Sequence, residues 1–283
     1  MFDLTSPEVS YMVGLFQSDG SHYGSTAGKG RLSLEISERD ADILPKLQRL
    51  IPYHSNIKTR TRDTNFKKAY TSQCLNICSQ EVRTEFERFG VPVGKKSDSI
   101  QPPTEAFSRP DYLRGIIDGD GSVGFTARGY PFVGIVTASP FIAQHFCAEV
   151  ADVCGVRRTA RPNSRDGVFN IMVMSCAAAL LAGWCYPPGS LAIQRKYNAA
   201  LEIAQWKPPS SRYGHARQAW TADEDAVVSS NSVEKAAELL GRTVQSVSMR
   251  RWRLRDPGIG RNHPAHTAKW RTRGEWQPRD ART

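Results

Sequence analysis

The chain has 283 residues, of which 40% are hydrophobic, and its formal net charge is +10 at pH 7. This length allows one large domain or two to three smaller ones with their own cores. The longest apolar stretch, residues 171–184, is too short to cross a membrane and contains Ser175, which argues against a transmembrane protein.

The positive charge is concentrated toward the C-terminus, since the residues from Lys207 onward carry 15 Lys and Arg against 8 Asp and Glu. This excess predicts a polyanionic partner, most often nucleic acid, with general solubility as the alternative. The six cysteines form no Cys-x-x-Cys pair and lie in apolar segments, so we expect reduced thiols and no zinc site. Residues 1–8 are polar and do not resemble a secretion signal. We therefore expect an intracellular, cytoplasmic protein.

The first predicted element is a helix that ends in a short motif. Ser6 and Pro7 are typical of an N-cap and a first helical position. The motif, residues 12–20 (MVGLFQSDG), is an apolar run closed by Asp19 and Gly20. We predict that the helix ends at this Asp-Gly pair, because glycine permits a sharp exit from a helix.

The rest of this half alternates strands and helices. Leu32, Leu34 and Ile36 alternate with polar residues, which indicates a strand. The patterns that follow predict a helix at residues 40–50, a basic strand at 56–62, a strand at 70–78, a helix at 80–89 and a closing basic pair at 95–96.

A second copy of the motif, residues 113–121 (LRGIIDGDG), places Asp120 where the first copy has Asp19. The same order of elements follows it. We predict a strand at residues 132–137, a helix at 140–153, a basic strand at 156–161, a strand at 168–174, a helix at 177–184 and a basic pair at 195–196.

The spacing within the two copies also agrees. Asp19 precedes Lys96 by 77 residues, and Asp120 precedes Lys196 by 76 residues. An internal repeat of this extent predicts two similar structural halves. The predicted halves are residues 1–100 and 101–206.

Small residues stand four positions apart in both motifs. They are Gly14 and Ser18 in the first and Gly115 and Gly119 in the second. Small side chains at this spacing share one helix face and let two backbones approach closely. Such packing brings the two motif carboxylates together at helix C-termini, where a cation offsets their charge and the helix dipoles. Paired carboxylates favour metal-assisted chemistry on phosphate, whereas either motif alone is a plain Asp-Gly turn.

The two predicted basic strands carry cations at alternate positions, which lie on one face of a sheet. Such a face suits the phosphates and base edges of duplex DNA, and the alternative is a solvated edge strand protected against aggregation. The alternating residues are Lys58, Arg60 and Arg62 in one half and Arg157, Thr159 and Arg161 in the other.

A different kind of segment follows the repeat. Residues 207–216 are rich in Pro and Ser and predict a linker. Residues 217–256 predict three short helices, the first starting at a capping box of Thr221 and Glu224 and the others spanning 233–240 and 244–254. Residues 257–283 predict a basic tail that is flexible or folds on contact with DNA. The third helix carries side chains suited to DNA, namely Gln245, Arg250, Arg251 and Arg253.

The two motifs resemble those of the two-motif LAGLIDADG homing endonucleases, and the resemblance covers residues 5–206. It implies an α+β fold in which two pseudo-symmetric αββαββα halves form a DNA-binding saddle. It also implies site-specific cleavage of both strands of double-stranded DNA, with short 3′ overhangs at a long, imperfectly palindromic site.

The resemblance further assigns site residues. Asp19 and Asp120 would hold a divalent metal, Mg²⁺ or Mn²⁺, together with the backbone carbonyls of Ser18 and Gly119. Two lysines would organise water at the scissile phosphates. These are Lys96 and Lys196, with Lys95 and Arg195 as alternatives.

The copies depart from each other at one further position. The resemblance implies a polar residue at the end of the first strand that orders water. Glu38 matches it in the first half, whereas the second half offers Ala138. This difference predicts unequal cutting of the two DNA strands.

The C-terminal helices resemble a Myb/SANT-like repeat over residues 217–256, on the run 220–225 and on 239–243. This resemblance implies a DNA-binding helix-turn-helix, with a protein-docking bundle as the alternative. Two other functions fit the whole architecture: a non-cutting DNA-binding transcription regulator, and an RNA maturase acting on intron RNA. Retention of both motif acids favours the endonuclease. We expect a monomer encoded by a prokaryotic or phage-borne mobile intron, with no membrane partner.

Overall fold

The computed structural model describes residues 2–24, 28–63, 68–208 and 220–255. The chain divides into two compact units, Met1–Pro208 and Pro209–Thr283. The predicted basic tail and most of the predicted linker lie outside the described residues. No helix within the described ranges is long and apolar enough to cross a membrane.

The first half of the larger unit has the predicted αββαββα order. Its sheet is antiparallel, with strand order β1-β2-β4-β3. A single 3₁₀ turn, Glu38–Asp40, precedes the second helix, which begins at Ile43 rather than at residue 40. The elements are α1 (Pro7–Ser18), β1 (Gly20–Gly24), β2 (Gly30–Ser37), α2 (Ile43–Leu50), β3 (Ser55–Arg62), β4 (Tyr70–Ile77) and α3 (Gln80–Arg88).

The second half repeats this order with one strand fewer. Its antiparallel sheet has the order β5-β6-β7. Two helices close the half instead of the single one predicted. The elements are α4 (Arg109–Asp120), β5 (Gly121–Phe125), β6 (Pro131–Thr137), α5 (Pro140–Cys154), β7 (Phe169–Met174), α6 (Cys176–Cys185) and α7 (Gln194–Ala204).

The predicted strand at residues 156–161 is wrong. This segment runs beside β7, yet within the described chain its strand-like pairing is limited to a single bridge, between Pro162 and Phe169. Pro162 has no N–H to extend a ladder. The side chain of Arg158 donates to the carbonyl of Met172 at 3.2 Å, where a neighbouring strand would pair. The second half therefore lacks the counterpart of β3.

The registers of the two sheets define equivalent positions in the two halves. Each first strand starts at the motif glycine, and the glycine pairs with the fifth residue of the next strand. The aligned positions are Gly20, Leu34 and Leu75 in the first sheet and Gly121, Ile135 and Ile171 in the second.

The motif helices α1 and α4 pack side by side at the centre of the larger unit. A methyl group added at Gly14 would overlap the carbonyl oxygen of Tyr112, and one added at Gly115 would overlap that of Tyr11. The predicted close approach of the two helices is confirmed. All residues of α1 from Val9 to Gln17 are buried, because this helix meets protein on every side.

The smaller unit contains three described helices, α8 (Ala222–Ser230), α9 (Val233–Leu240) and α10 (Val244–Arg255). Thr221 and Glu224 form the predicted capping box at the start of α8. The helices enclose a small core of Val228, Ala236, Ala237 and Val247, with Trp220 packed against it. The α+β class with a small all-α module is thus the architecture of the chain.

Candidate metal and nucleic-acid site

The two motif acids meet at the C-terminal ends of the central helices. Asp19 caps α1, and Asp120 is the last residue of α4. A methyl group added at Gly119 would lie 3.4 Å from Asp19 Oδ2, so this carboxylate rests against the backbone of the other motif. The sequence repeat therefore brings one carboxylate from each half to the same place.

Partial burial disfavours the ionised form of both motif carboxylates. Asp19 keeps solvent access, and Asp120 is half-buried. Loss of hydration and the Asp120 charge raise the pKa of Asp19 to about 6, against the opposing charges of Lys196 and Lys96. Loss of hydration also raises the pKa of Asp120, again opposed by the two lysines. Lost hydration therefore disfavours the ionised pair despite the two neighbouring ammonium groups.

Both predicted lysines are buried beneath this pair. Lys96 Nζ donates to the carbonyl oxygens of Gln17 and Ser18, the latter at 2.9 Å. Lys196 Nζ donates to three carbonyls at the end of α4, at 2.6–2.8 Å. Each ammonium group thus caps the negative end of its own motif helix. Burial lowers the pKa of both lysines, and the motif carboxylates oppose that change for Lys96.

The alternatives to these lysines lie elsewhere. Arg195 forms a bidentate ion pair with Asp40, with both distances 2.8 Å, and this pair joins α7 to the first half. Lys95 is exposed and pairs with Asp98 at 3.1 Å. Of the four candidates, Lys96 and Lys196 are the two beside the motif acids.

The first sheet presents a polar face beside Asp19, here called face one. A concave cavity of about 640 Å³ joins this face to Asp19. Strand register places the predicted Lys58, Arg60 and Arg62 on face one. Face one comprises Arg31, Ser33 and Glu35 of β2, Asn56, Lys58, Arg60 and Arg62 of β3, and Ser72, Cys74 and Asn76 of β4.

Glu35 is a residue of face one that the sequence pattern did not single out. It accepts a hydrogen bond from Ser72 at 2.7 Å and forms ion pairs with Arg60 at 3.4 Å and Arg62 at 3.0 Å. Among the described residues, no ion pair or hydrogen bond restrains Lys58, and its side chain is exposed. The polar residues between Leu32, Leu34 and Ile36 carried this signal, because the alternation that buries one side of β2 exposes the other.

Other predicted residues fall outside this site. Arg157, Thr159 and Arg161 are exposed, but their segment is not a strand, so no ladder fixes them on one face. Glu38 is exposed in the 3₁₀ turn and is not among the residues that line the cavities beside Asp19.

Comparison with known structures gives several similar proteins. The structure of I-SmaMI bound to its uncleaved DNA target with calcium ions is 11% identical, with a TM-score of 0.46, over 70% of this chain and 89% of that one. I-WcaI bound to its DNA recognition sequence is 9% identical, with a TM-score of 0.49, over 71% and 88%. Full-length WhiA from Thermatoga maritima is 12% identical, with a TM-score of 0.44, over 89% and 92%.

The sequence matches no protein-family model and no curated protein. With identities near 10% and TM-scores below 0.5, the likeness to these structures does not decide what the chain does. The chemistry of the site itself carries the functional proposal.

The donor set beside the motif ends fits a hard divalent cation. Within the described residues, neither the Asp19 nor the Asp120 carboxylate accepts a hydrogen bond, and no group of three or more His, Cys, Asp or Glu is placed to hold a metal ion. The candidate ligands are therefore the two motif carboxylates and backbone carbonyls. The Ser18 carbonyl accepts from Lys96 and retains a second lone pair. Carboxylate and carbonyl oxygens are the ligands that Mg²⁺ and Mn²⁺ prefer.

In the smaller unit, two of the predicted DNA-binding arginines are engaged internally. Arg250 forms a bidentate ion pair with Asp225 at 2.6 and 2.5 Å. Arg251 donates to the carbonyls of Val228 and Asn231 at the end of α8. Gln245 and Arg253 are exposed on α10.

Proposed function

We propose that the chain is a metal-dependent, site-specific endonuclease that cuts both strands of double-stranded DNA. The observation that carries the proposal is the pair of motif carboxylates, one from each half, beside the cationic face one. A single chain with one acid from each half has the components to act on two strands. The contacts of Lys96 and Lys196 support the same centre, because each lysine fixes the helix end that presents its acid.

Asp19 and Asp120 would hold Mg²⁺ or Mn²⁺, with the carbonyls of Ser18 and Gly119 as further ligands. A divalent ion bound there supplies Lewis-acid stabilisation of the developing charge and lowers the pKa of water. The charges of the Lys96 and Lys196 ammonium groups next to the acids favour the ionised carboxylates. The buried ammonium groups also bring positive charge close to an approaching phosphate.

Face one would contact one half of the DNA target. Lys58 and Arg31 are exposed and suit phosphates and guanine edges, whereas Glu35 restrains Arg60 and Arg62. Because the two halves present different residues to DNA, the target would be an imperfect palindrome. Cleavage would leave short 3′ overhangs.

Cleavage of a randomised duplex library, with Mg²⁺ and with EDTA, tests this function when the cut ends are sequenced. We expect metal-dependent double-strand breaks at one recurring long site. Asp19→Asn and Asp120→Asn should each abolish double-strand cleavage and leave binding within about threefold of the parent, since each removes a single charge. Full cleavage by either variant contradicts the proposal.

Binding of one duplex sequence without cleavage under any divalent metal would instead identify a non-cutting DNA-binding regulator. Tight binding of intron RNA that survives Asp19→Asn would identify an RNA maturase. The two outcomes are separated by supplying duplex DNA and folded RNA to the same preparation.

A further inference from the structure

The second sheet presents an apolar face where the first presents a polar one. We call it face two, and it comprises Ser122 of β5, Phe132, Gly134 and Val136 of β6, and Asn170, Met172 and Met174 of β7. Val136, Met172 and Met174 are 48%, 41% and 41% exposed. The core lies on the other side of the same strands, where Val133 and Val173 are fully buried. The apolar side chains of face two therefore do not contribute to the core.

The contrast between the two faces holds at three aligned positions, whereas Cys74 is equivalent to the polar Asn170. The registers make Phe132 equivalent to Arg31, Val136 equivalent to Glu35, and Met172 equivalent to Asn76. The open face of an antiparallel sheet is ordinarily polar, and a contiguous apolar patch marks a binding surface. The two halves therefore share one arrangement of strands but differ in the polarity of their open faces.

Arginines lie at two borders of face two, the β5–β6 turn and the edge of β7. Arg128 lies in the turn between β5 and β6, and Arg157, Arg158 and Arg161 follow the edge of β7, all of them exposed. Arg158 is held at this edge by its hydrogen bond to the Met172 carbonyl at 3.2 Å. An uncharged apolar surface bordered by these arginines, here called the cationic rim, is complementary to a polyanion that carries apolar groups.

Face two is also continuous with the candidate metal site. A concave cavity of about 480 Å³ is lined by Asp19 and Gly119 and also by Ser122 and Phe132. Duplex DNA whose backbone reached the motif acids would pass over this face. The apolar group that duplex DNA displays in its major groove is the 5-methyl group of thymine.

We propose that face two recognises thymine 5-methyl groups in one half of the DNA target, while face one reads polar base edges in the other half. The proposal rests on the DNA function proposed above. Met172 and Met174 supply flexible, polarisable contact surface, and Val136 and Phe132 supply rigid surface. The cationic rim holds the phosphates on either side of the groove.

The experiment uses the full chain in EDTA, so that binding is measured without cleavage. The preferred duplex is first selected from a randomised library. Its two halves are then resynthesised separately with uracil in place of thymine, which removes each methyl group and keeps base pairing. In the half that face two binds, we expect each methyl group removed from the interface to weaken binding about fourfold.

Two variants assign that effect to face two. Met172→Gln keeps the length of an exposed side chain and should reduce the difference between thymine and uracil duplexes. Lys58→Ala, on face one, should weaken binding to both duplexes by the same factor. Circular dichroism and thermal melting of both variants test whether the fold is retained.

The outcomes separate this proposal from the one it rests on. If the library yields no preferred duplex, both fail. If a duplex is selected but thymine and uracil versions bind equally in both halves, the thymine readout fails and the DNA function stands. A concentration-dependent dimer that Met172→Gln converts to monomer would make face two a self-association surface and overturn the proposal.

Discussion

Tyr11 of the first motif helix donates a hydrogen bond to Asp118 of the second, with 2.8 Å between its hydroxyl oxygen and Oδ2. The relationship is reciprocal, because Tyr112 donates to Gln17 Oε1 at 2.6 Å. Each helix thus binds the other at the residue two positions before the motif acid. These buried contacts fix the relative position of the helix ends and hence of Asp19 and Asp120.

We expect Asp118→Asn to destabilise the larger unit by about 2–3 kcal/mol. Asp118 accepts hydrogen bonds from Tyr11, Tyr186 and the backbone N–H of Ile193, each at 2.8 Å. An amide replaces one of the two accepting oxygens with a donor, so the hydrogen bond there must be lost or reversed, and the remaining bonds lose their charged acceptor. Chemical denaturation measures the loss. Exposed Asp63→Asn serves as the control, and equal stability of the two variants would contradict the prediction.

The role of Gln17 and Asp118 could not be inferred from the sequence. The repeat itself was visible, and it predicted the helix pair and the meeting of the motif acids. At this position, however, one copy has an amide and the other a carboxylate, and periodicity assigns both only to the buried helix pair. Their partners lie 68 or more residues away along the chain, so only the fold reveals them.

The close approach of α1 and α4 predicts that Gly14→Ala destabilises the larger unit strongly. The new methyl group would overlap the Tyr112 backbone carbonyl, which cannot move aside without displacing the helix. We expect a loss of about 3 kcal/mol or more, measured by chemical denaturation.

Gly183→Ala is the matched control for this change. Gly183 also lies within a helix, but its added methyl group would meet only Ala204 Cβ at 3.6 Å, an ordinary contact. Alanine there should be neutral or stabilise by about 0.5–1 kcal/mol. Similar losses for both variants would mean that the contact between the two motif helices does not set the effect.

Binding of Mn²⁺ to the proposed site should depend on pH around the pKa of Asp19, about 6. Above this pH Asp19 is ionised and binds the cation, and below it a proton competes. The affinity for Mn²⁺ should therefore decrease as the pH drops below 6, and the decrease should approach about tenfold per pH unit. Lys196→Met removes a charge that lowers this pKa, so the midpoint should move to higher pH. Titration calorimetry measures both curves.

Lys58→Met controls for the general loss of positive charge, since Lys58 lies on face one and not beneath the motif acids. Its midpoint should stay with that of the parent. A curve for Lys196→Met that matches the parent would show that Asp19 does not control the binding of the metal.

The second half shows where sequence periodicity is insufficient. Arg157, Thr159 and Arg161 stand at alternate positions like the cations of β3, yet only a strand with hydrogen-bonded neighbours fixes alternate residues on one face. Pro162 and the Arg158 side chain prevent that pairing, and both effects depend on the neighbour β7. The apolar open face of β6 and β7 likewise could not be predicted from the sequence, because the pattern of a short strand does not distinguish exposed from buried apolar residues.

Stability should fall as the pH drops below about 6.5 because of His145. Burial lowers the pKa of His145, and the charge of Arg109 lowers it further, against the opposing charge of Glu149. Among the described residues, its buried Nε2 has no hydrogen-bond partner. Below the unfolded-state pKa the unfolded chain binds a proton that the folded chain does not, so acid favours unfolding, by at most about 1.4 kcal/mol per pH unit.

His145→Phe should flatten this pH dependence between pH 7 and 5. The ring of Tyr112 lies 5.6 Å from that of His145 and Phe107 lies 6.2 Å away, so an aromatic replacement suits the site. Thermal melting across this range gives the comparison. An unchanged slope would assign the acid sensitivity to other groups.

The smaller unit predicts opposite consequences for two neighbouring arginines of α10. Arg250 pairs with Asp225 and lies 5.7 Å from the Trp220 ring, so Arg250→Ala should destabilise the three helices by about 1 kcal/mol. Arg253 is exposed, so Arg253→Ala should leave stability unchanged. If α10 binds DNA, Arg253→Ala should also lower the salt dependence of binding by about one unit in log-log slope. Equal DNA affinity and salt slope for Arg253→Ala and the parent would favour a protein-docking role for this unit.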